Sequence, residues 1–207
     1  MSSDLRAWVR LPSGKRLDLL NPTPFDWDDE DLALGLARTY RWGGHSAWPL
    51  PLSVAQHSLT VLALRRQWAG SSGLAAVAEL RELLHDADEG LLGFDCISPL
   101  KAFMGGEFKA LTGRLEQVVK IRYDLRDWTE ADYSEHKRAD RIAAASEAAH
   151  VVGWPETEIR QTLKIRFKPL EADLLHGIYG GTPWEPWTPD VAAQRFLKEL
   201  RRLQAKV

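Results

Sequence analysis

His85 and Asp86 stand side by side within residues 78–89, a stretch whose composition otherwise predicts a helix. Ionisable side chains are costly to bury unpaired, and a bound metal ion is one arrangement that offsets this cost. Neighbouring positions of a helix do not face each other, so the pair could hold one ion only from the edge of the helix. Further ligands would have to come from other segments, and His57 and Asp140 belong to the right chemical class.

Glu89 strengthens the case for chemistry at this end of the predicted helix. It follows His85 by four residues and Asp86 by three, so the three side chains can meet. Asp86, Asp88 and Glu89 place negative charge at the C-terminus of the predicted helix, where the helix dipole favours cations. The arrangement is unfavourable unless a cation or a catalytic task compensates. The structural alternatives for His85 and Asp86 are charged side chains that merely decorate the C-terminus of a helix, and a salt bridge with Arg81.

Structural roles compete with metal binding at the two distant candidates. His57 shares a helical face with Val54 and Val61, which, taken alone, favours a core histidine bonded to a backbone carbonyl. Asp140 has basic neighbours, and its spacing alone favours a surface ion pair. His136, one turn before Asp140 on the same face, is a candidate for a further site residue, but a solvated histidine on the helix surface is the favoured prediction.

The ordered set of these residues resembles the HD-domain superfamily of metal-dependent phosphohydrolases. Arg41 and Trp42 resemble the Arg-Trp pair of its bacterial 5′-deoxynucleotidase branch. The resemblance extends over roughly residues 17–152. The other segments that carry it are residues 53–58 with the first histidine, residues 83–89 with the His-Asp pair, residues 93–101 with Gly-Phe-Asp and Ser-Pro-Leu-Lys, and residues 137–141 with the last aspartate.

The resemblance implies one divalent metal ion held by His57, His85, Asp86 and Asp140. Two imidazoles and two carboxylates without a sulfur ligand suit Mn, Co, Mg, Zn, Fe or Ni. It also implies that Glu89 orients or deprotonates the attacking water. The expected reaction is hydrolysis of the phosphate ester of a nucleotide substrate, foremost a 5′-(deoxy)nucleoside monophosphate.

The resemblance also suggests substrate contacts. Arg41 offers a planar fork for phosphate, and Trp42 offers a flat face for a sugar or base. A buried tryptophan anchor beside a surface arginine is the structural alternative for this pair. Asp95 matches an acid near the scissile phosphate and sugar, in a loop that is one residue longer here. Lys101 is either a phosphate contact or a solvated surface lysine.

Gln56 departs from the family pattern, which usually has a glutamate just before the first histidine. If that glutamate tunes the metal-bound histidine, metal affinity or working pH differs in this chain.

Three rival functions stay open: a (deoxy)nucleoside triphosphohydrolase, a di-iron oxygenase, and a non-catalytic nucleotide-binding module. The di-iron site would need more histidines than His136 between the His-Asp pair and the last aspartate.

The length and composition of the chain limit its number of domains, its partners and its cellular compartment. The 207 residues fit one domain, and a net charge of −2 offers no general basic field for a nucleic acid polymer. The single cysteine, Cys96, excludes an internal disulfide and favours a reducing, cytoplasmic setting. No apolar run approaches the roughly 20 residues that span a membrane, and the polar N-terminus predicts no signal peptide. The oligomeric state stays open, a homodimer included.

The elements that must position these residues are helices. Alternating residues around a Pro/Gly turn predict a small hairpin within residues 1–22. Helices are predicted at residues 27–40, 53–68, 74–89, 107–123, 129–152 and 191–204, with a shorter one after Pro155 and a loop at residues 90–105. The pattern indicates a single all-α domain: an HD-type bundle with an N-terminal β-hairpin, a metal-binding core in residues 23–152 and a helical extension in residues 153–207.

Overall fold

The computed structural model describes residues 7–207, apart from the side chains of Ser98 and Pro99. Residues 1–6, on which the signal-peptide expectation rests, lie outside the described part. Two antiparallel strands, β1 (Trp8–Arg10) and β2 (Arg16–Asp18), form the predicted hairpin. The described helices are α1 (Asp29–Arg38), α2 (Val54–Ala69), α3 (Ala76–Leu83), α4 (Ala87–Leu92), α5 (Ser98–Arg122), α6 (Glu130–Glu147), α7 (Glu156–Gln161), α8 (Leu174–Tyr179) and α9 (Pro189–Gln204). The all-α class with a small hairpin is confirmed.

One large apolar cluster runs through the bundle from β2 to α9. Leu32 and Leu36 of α1 are fully buried in it together with Phe196 and Leu200 of α9. Burial of each such side chain is worth about 1.5–3 kcal/mol relative to exposure. The C-terminal residues therefore share the core of the preceding helices. Within residues 7–207, no helix is both long and apolar enough to cross a membrane.

The helix predicted over residues 74–89 is wrong in its middle, because the chain breaks between α3 and α4. His85 and Asp86 lie in the turn that separates the two helices. His85 Nδ1 bonds to the backbone oxygen of Glu82 at 2.8 Å, so a side chain takes up a carbonyl near the end of α3. The break brings His85 Nε2 and Asp86 Oδ2 within 3.0 Å of each other, which adjacent positions of a continuous helix would not allow.

Gly90 was expected to stop that helix, but it lies inside α4. It allows a close approach to α1: a Cβ on Gly35 would lie 2.3 Å from Gly90 O, and a Cβ on Gly90 would lie 2.5 Å from Leu36 Cγ. α4 ends instead at Gly93, which adopts a left-handed conformation with φ 73°. Gly35 and Gly90 thus allow α4, and with it Glu89, to lie close against α1.

The loop predicted at residues 90–105 is wrong in its second half, since α5 begins at Ser98. A proline in its first turn is compatible with helix initiation. The backbone leaves helical geometry at Gly105, with φ 77° and ψ −160°, so the glycine pair interrupts α5 locally. Lys101 consequently projects from a helix, and not from a flexible loop.

The other predicted helices form near their expected positions. Ser53 caps α2 by accepting a hydrogen bond from the Gln56 backbone, and Thr129 caps α6 in the same way. α6 passes at Ala148–Val152 into a π-helical turn, which completes the long helix predicted there. The sequence pattern missed one short helix, α8, which has only six residues.

Candidate metal centre and its surroundings

The four predicted ligand residues lie close together, although they come from three separate parts of the chain. His57 lies on α2, His85 and Asp86 lie in the turn between α3 and α4, and Asp140 lies on α6. His57 Nε2 is 3.3 Å from His85 Nε2, 3.5 Å from Asp140 Oδ1 and 3.6 Å from Asp86 Oδ2. One ligand atom each from His57, His85 and Asp140 lies within 4.8 Å of the other two, close enough for a shared ion. Asp86 adjoins this group through both histidines.

The hydrogen bonds of the two histidines orient both Nε2 atoms toward the same space. His57 Nδ1 lies 2.6 Å from Glu147 Oε1, and His85 Nδ1 lies 2.8 Å from the Glu82 carbonyl. An ionised carboxylate and a carbonyl can only accept, so each Nδ1 carries a proton, and whenever a ring is neutral its lone pair lies at Nε2. Two lone pairs 3.3 Å apart repel each other unless a proton or a metal ion interacts with them. The donor set therefore fits a divalent cation.

The charges around His57 create a demand for a cation at this point. Burial and the nearby Arg41 lower the pKa of His57, but the carboxylates of Glu147 and Asp140 outweigh them and raise it to about 9. Burial alone would raise the pKa of Asp140, yet His57 and Lys137 hold it well below its usual range. In the metal-free protein a proton on His57 thus supplies positive charge that a metal ion could supply instead.

Glu147 is a residue of the site that sequence reasoning missed. Its buried carboxylate accepts hydrogen bonds from His57 Nδ1, from Arg41 Nε at 2.8 Å and from Trp42 Nε1 at 3.2 Å. Burial raises the pKa of Glu147, but Arg41 and His57 together lower it to about 2, so the carboxylate stays ionised. The available signal was its position on α6, seven residues and about two helical turns after Asp140. A carboxylate that fixes a ligand histidine in this way tunes metal affinity.

Arg41 and Trp42, predicted as substrate contacts, lie beside the centre and bind Glu147. Arg41 Nη1 is also 3.9 Å from Asp86 Oδ2, and its side chain is only 13% exposed. Trp42 has a positive φ of 58° and packs on a small apolar cluster from α6, the turn after it and α7. Both side chains therefore have contacts within the protein that hold the loop in place, and their contact with substrate stays a prediction.

Glu89 is bound by Lys101 and feels the charges of Asp86 and Asp95. Glu89 Oε1 accepts a hydrogen bond from Lys101 Nζ at 2.8 Å, while its Oε2 is buried without a partner among the described residues. Burial, followed by the charges of Asp86 and Asp95, raises the pKa of Glu89 to about 9 against the opposing effect of Lys101. Asp95 is half-buried in the loop between α4 and α5. A buried carboxyl group with one uncommitted oxygen suits proton transfer, and this role stays a prediction.

Position 56, where the family pattern has glutamate, binds the C-terminal part of the chain. Gln56 Nε2 donates to the Glu185 carbonyl at 3.1 Å, and Gln56 Oε1 accepts from the Trp187 backbone N–H at 2.9 Å. A carboxamide offers both a donor and an acceptor, whereas an ionised glutamate offers acceptors only. The carboxylate that bonds to His57 is that of Glu147, and position 56 makes its hydrogen bonds elsewhere.

We expect Gln56→Glu to destabilise the protein, because the Glu185 carbonyl would lose its donor beside a newly buried charge. An unsatisfied buried polar group costs about 1–3 kcal/mol. Urea denaturation should therefore show a lower midpoint with little change in slope. Gln67→Glu, at an exposed position of the same helix, is the matched control. Equal loss of stability in both variants would contradict the role of Gln56.

The prediction of a solvated His136 is wrong, because its side chain is 3% exposed. His136 Nδ1 bonds to Glu82 Oε2 at 2.8 Å, and Arg65 Nε bonds to the other carboxylate oxygen at 2.7 Å. The His136 ring stacks on Trp128 with centroids 4.5 Å apart and meets the His85 ring at 4.8 Å. Burial lowers the pKa of His136, which favours a neutral ring. It therefore packs beside His85 as a supporting residue.

Comparison with known proteins gives one informative relative. No protein-family model matches the chain. An uncharacterized protein of Rhodobacter capsulatus is 42% identical over 154 residues, which cover 74% of this chain and 77% of that protein. The similarity is thus high and extends over most of both chains.

Proposed function

The chain belongs to one family with the uncharacterized Rhodobacter capsulatus protein, and we propose that it is a metal-dependent phosphohydrolase of the HD-domain superfamily that acts on nucleotides. The observation that carries this proposal is the convergence of His57, His85, Asp86 and Asp140. Both histidines present Nε2 because acceptors hold their Nδ1 atoms, as is usual for metal-bound imidazoles. Glu89 with its uncommitted oxygen lies close by and supports hydrolytic chemistry.

The proposed roles divide between an ion and the residues around it. His57, His85, Asp86 and Asp140 would hold a divalent ion, which when bound polarises a phosphoryl oxygen and lowers the pKa of water. Glu89 would take a proton from the attacking water at Oε2 while Lys101 holds Oε1, and the positive charge of the bound ion would lower the raised pKa of Glu89 so that the carboxyl is ionised.

Three further residues complete the proposal. Glu147 would keep the proton of His57 on Nδ1 and the ring in place. Arg41 would stabilise negative charge on the transferring phosphoryl group, and Asp95 would help position the sugar or protonate the leaving oxygen.

The charges near the centre favour a substrate with one phosphate. Basic side chains line the adjacent cavity, but several of them already bind a carboxylate. The pairs are Arg81 with Asp132 at 3.1 Å, Lys101 with Glu89 at 2.8 Å, Lys120 with Asp127 at 2.9 Å and Lys137 with Asp140 at 3.0 Å. A triphosphate would need several uncommitted cations, so a 5′-(deoxy)nucleoside monophosphate fits better. The free, buried Cys96 accords with a reducing, cytoplasmic setting.

We expect the protein to release phosphate from 5′-nucleoside monophosphates only when a divalent metal is present. The test removes metal with a chelator, restores Mn, Co, Mg, Zn, Fe or Ni singly, and measures phosphate from nucleoside mono-, di- and triphosphates. Release of inorganic triphosphate would instead indicate a triphosphohydrolase. Stoichiometric metal without turnover of any nucleotide would contradict the enzyme and favour a nucleotide-binding module.

A further inference from the structure

A cavity of about 260 Å³ lies against the candidate metal centre on its α5 and α6 side. His85 and Asp86 line the cavity next to the centre, and Tyr133 and Lys137 line it from α6. Among the described residues, Arg41 is not part of its lining. The open space beside the candidate ligands is therefore bounded by α6 residues that the family resemblance did not identify as substrate contacts.

Lys137 connects this cavity to the candidate centre. Its Nζ donates to Asp140 Oδ2 at 3.0 Å, while Asp140 Oδ1 lies 3.5 Å from His57 Nε2. The Lys137 side chain is 40% exposed, so a ligand in the cavity can reach the ammonium group. A phosphate held at the centre would thus lie within reach of a lysine that is separated from it by one carboxylate. Charge-assisted hydrogen bonds of this kind are among the stronger contacts to phosphate.

The two aromatic residues of the cavity differ in what they can still contact. Trp128 is covered on its faces, because the His136 ring stacks on it at 4.5 Å and the Arg81 guanidinium lies 4.0 Å from its ring centroid. Tyr133 is 49% exposed and meets Trp128 only at a steep angle, with centroids 6.3 Å apart. Tyr133 is therefore the aromatic side chain here that can pack against a flat ligand group.

We propose that one face of α6 forms a substrate strip, made of Tyr133, Lys137 and Asp140. The spacings of four and three residues place the three side chains on the same side of the helix. Because a helix rises about 1.5 Å per residue, the strip runs roughly 10 Å from Asp140 to Tyr133. A nucleoside monophosphate would lie along it, with its phosphate at Lys137 and its sugar or base against Tyr133. This inference rests on the proposed function and adds the residues that select the substrate.

The test measures binding, so that it is separate from turnover. Two probes are titrated into the Mn²⁺-loaded protein by calorimetry: inorganic phosphate, and a 5′-methylenephosphonate analogue of a deoxynucleoside monophosphate, which cannot be hydrolysed. Lys137→Ala should weaken both probes about 10-fold or more, and Lys137→Arg should restore part of the affinity. Tyr133→Ala should weaken the analogue roughly 10-fold and leave phosphate unchanged. Arg141→Ala, an exposed cation on the same helix, should change neither.

Metal affinity and turnover separate the remaining outcomes. Lys137→Ala should bind Mn²⁺ at least as tightly as the wild type, because the lysine is not a ligand and its positive charge beside Asp140 opposes that of the ion. Weaker Mn²⁺ binding in Lys137→Ala would mean that the lysine only positions Asp140 and would overturn the strip. Unchanged analogue binding in Tyr133→Ala, or no binding of either probe by the wild type, would also overturn it. Analogue binding along the strip without hydrolysis of natural nucleotides would support the strip and reject the proposed enzyme.

Discussion

Asp140→Asn should remove both metal binding and phosphate release while the helices remain folded. The substitution keeps the shape of the side chain but replaces a charged ligand oxygen with a neutral amide, in a group where Asp140 Oδ1 lies 3.5 Å from His57 Nε2. Asp86→Ala should act in the same way, because Asp86 Oδ2 contacts both ligand histidines. Elemental analysis should find metal in the wild type and almost none in either variant. Circular dichroism should show helical signal in all three proteins.

Thermal unfolding supplies a second measurement of the same prediction. A metal that binds only the folded state at 100 times its dissociation constant stabilises it by about 2.7 kcal/mol. Added Mn²⁺ should therefore raise the unfolding temperature of the wild type and of Glu130→Gln, an exposed acid at the start of α6. It should leave Asp140→Asn unchanged. Full metal occupancy in Asp140→Asn would contradict the assignment of this ligand.

The helical architecture could be predicted because its local signals agree with its packing. Ser53 and Thr129 are good caps, and α2 and α6 begin directly after them, one residue from the predicted starts. The break between α3 and α4 could not be predicted in this way. Residues 78–89 have a composition suited to one continuous helix, and only tertiary contacts reveal why they divide there. One of these is the close approach of α4 to α1 at Gly90.

The sequence singled out the candidate ligands, but not the groups that surround them. His57, His85 and Asp140 were singled out by residue type and order, and the structure brings them together. Glu147 lies 90 residues from His57 along the chain, and a glutamate in a helix gives no local sign that it will be buried. His136 was judged from its own helix, whereas its burial comes from Trp128 in the segment just before that helix. The burial of both Glu147 and His136 therefore depends on contacts between separate segments of the chain.

Gln56 is the reverse case: the sequence suggested that it acts at the candidate site, but its side chain contacts another part of the protein. A family pattern drew attention to the position because it neighbours His57 in sequence. In the structure its carboxamide bonds instead to the backbone of Glu185 and Trp187, about 130 residues away. Adjacent helix positions point in different directions, so a neighbour of a ligand along a helix need not touch it. The carboxylate that bonds to His57, that of Glu147, is near it only in the folded structure.

Glu89→Gln should keep the metal and lower kcat by roughly 10²- to 10⁴-fold, the range typical of a general acid–base group. Glutamine has nearly the same size and can still bond to neighbours, but it cannot take a proton from water. Of the two carboxylate oxygens of Glu89, Oε2 is buried without a partner among the described residues, so this atom is available to accept the proton of water. Lys101 at Oε1 holds the carboxylate in place, and the α4–α1 contact at Gly90 holds the backbone that carries it.

The test measures metal content and the rate of phosphate release in Glu89→Gln and in a matched control variant. Glu116→Gln changes an exposed acid in the lining of the cavity beside the candidate centre, so it should retain metal and near wild-type kcat. Glu89→Gln should match it in metal content and in binding of the non-hydrolysable analogue, and differ only in the rate of phosphate release. Wild-type turnover by Glu89→Gln would reject the catalytic role. Loss of metal from Glu89→Gln would make Glu89 a ligand, because a residue that only transfers protons does not contribute to metal affinity.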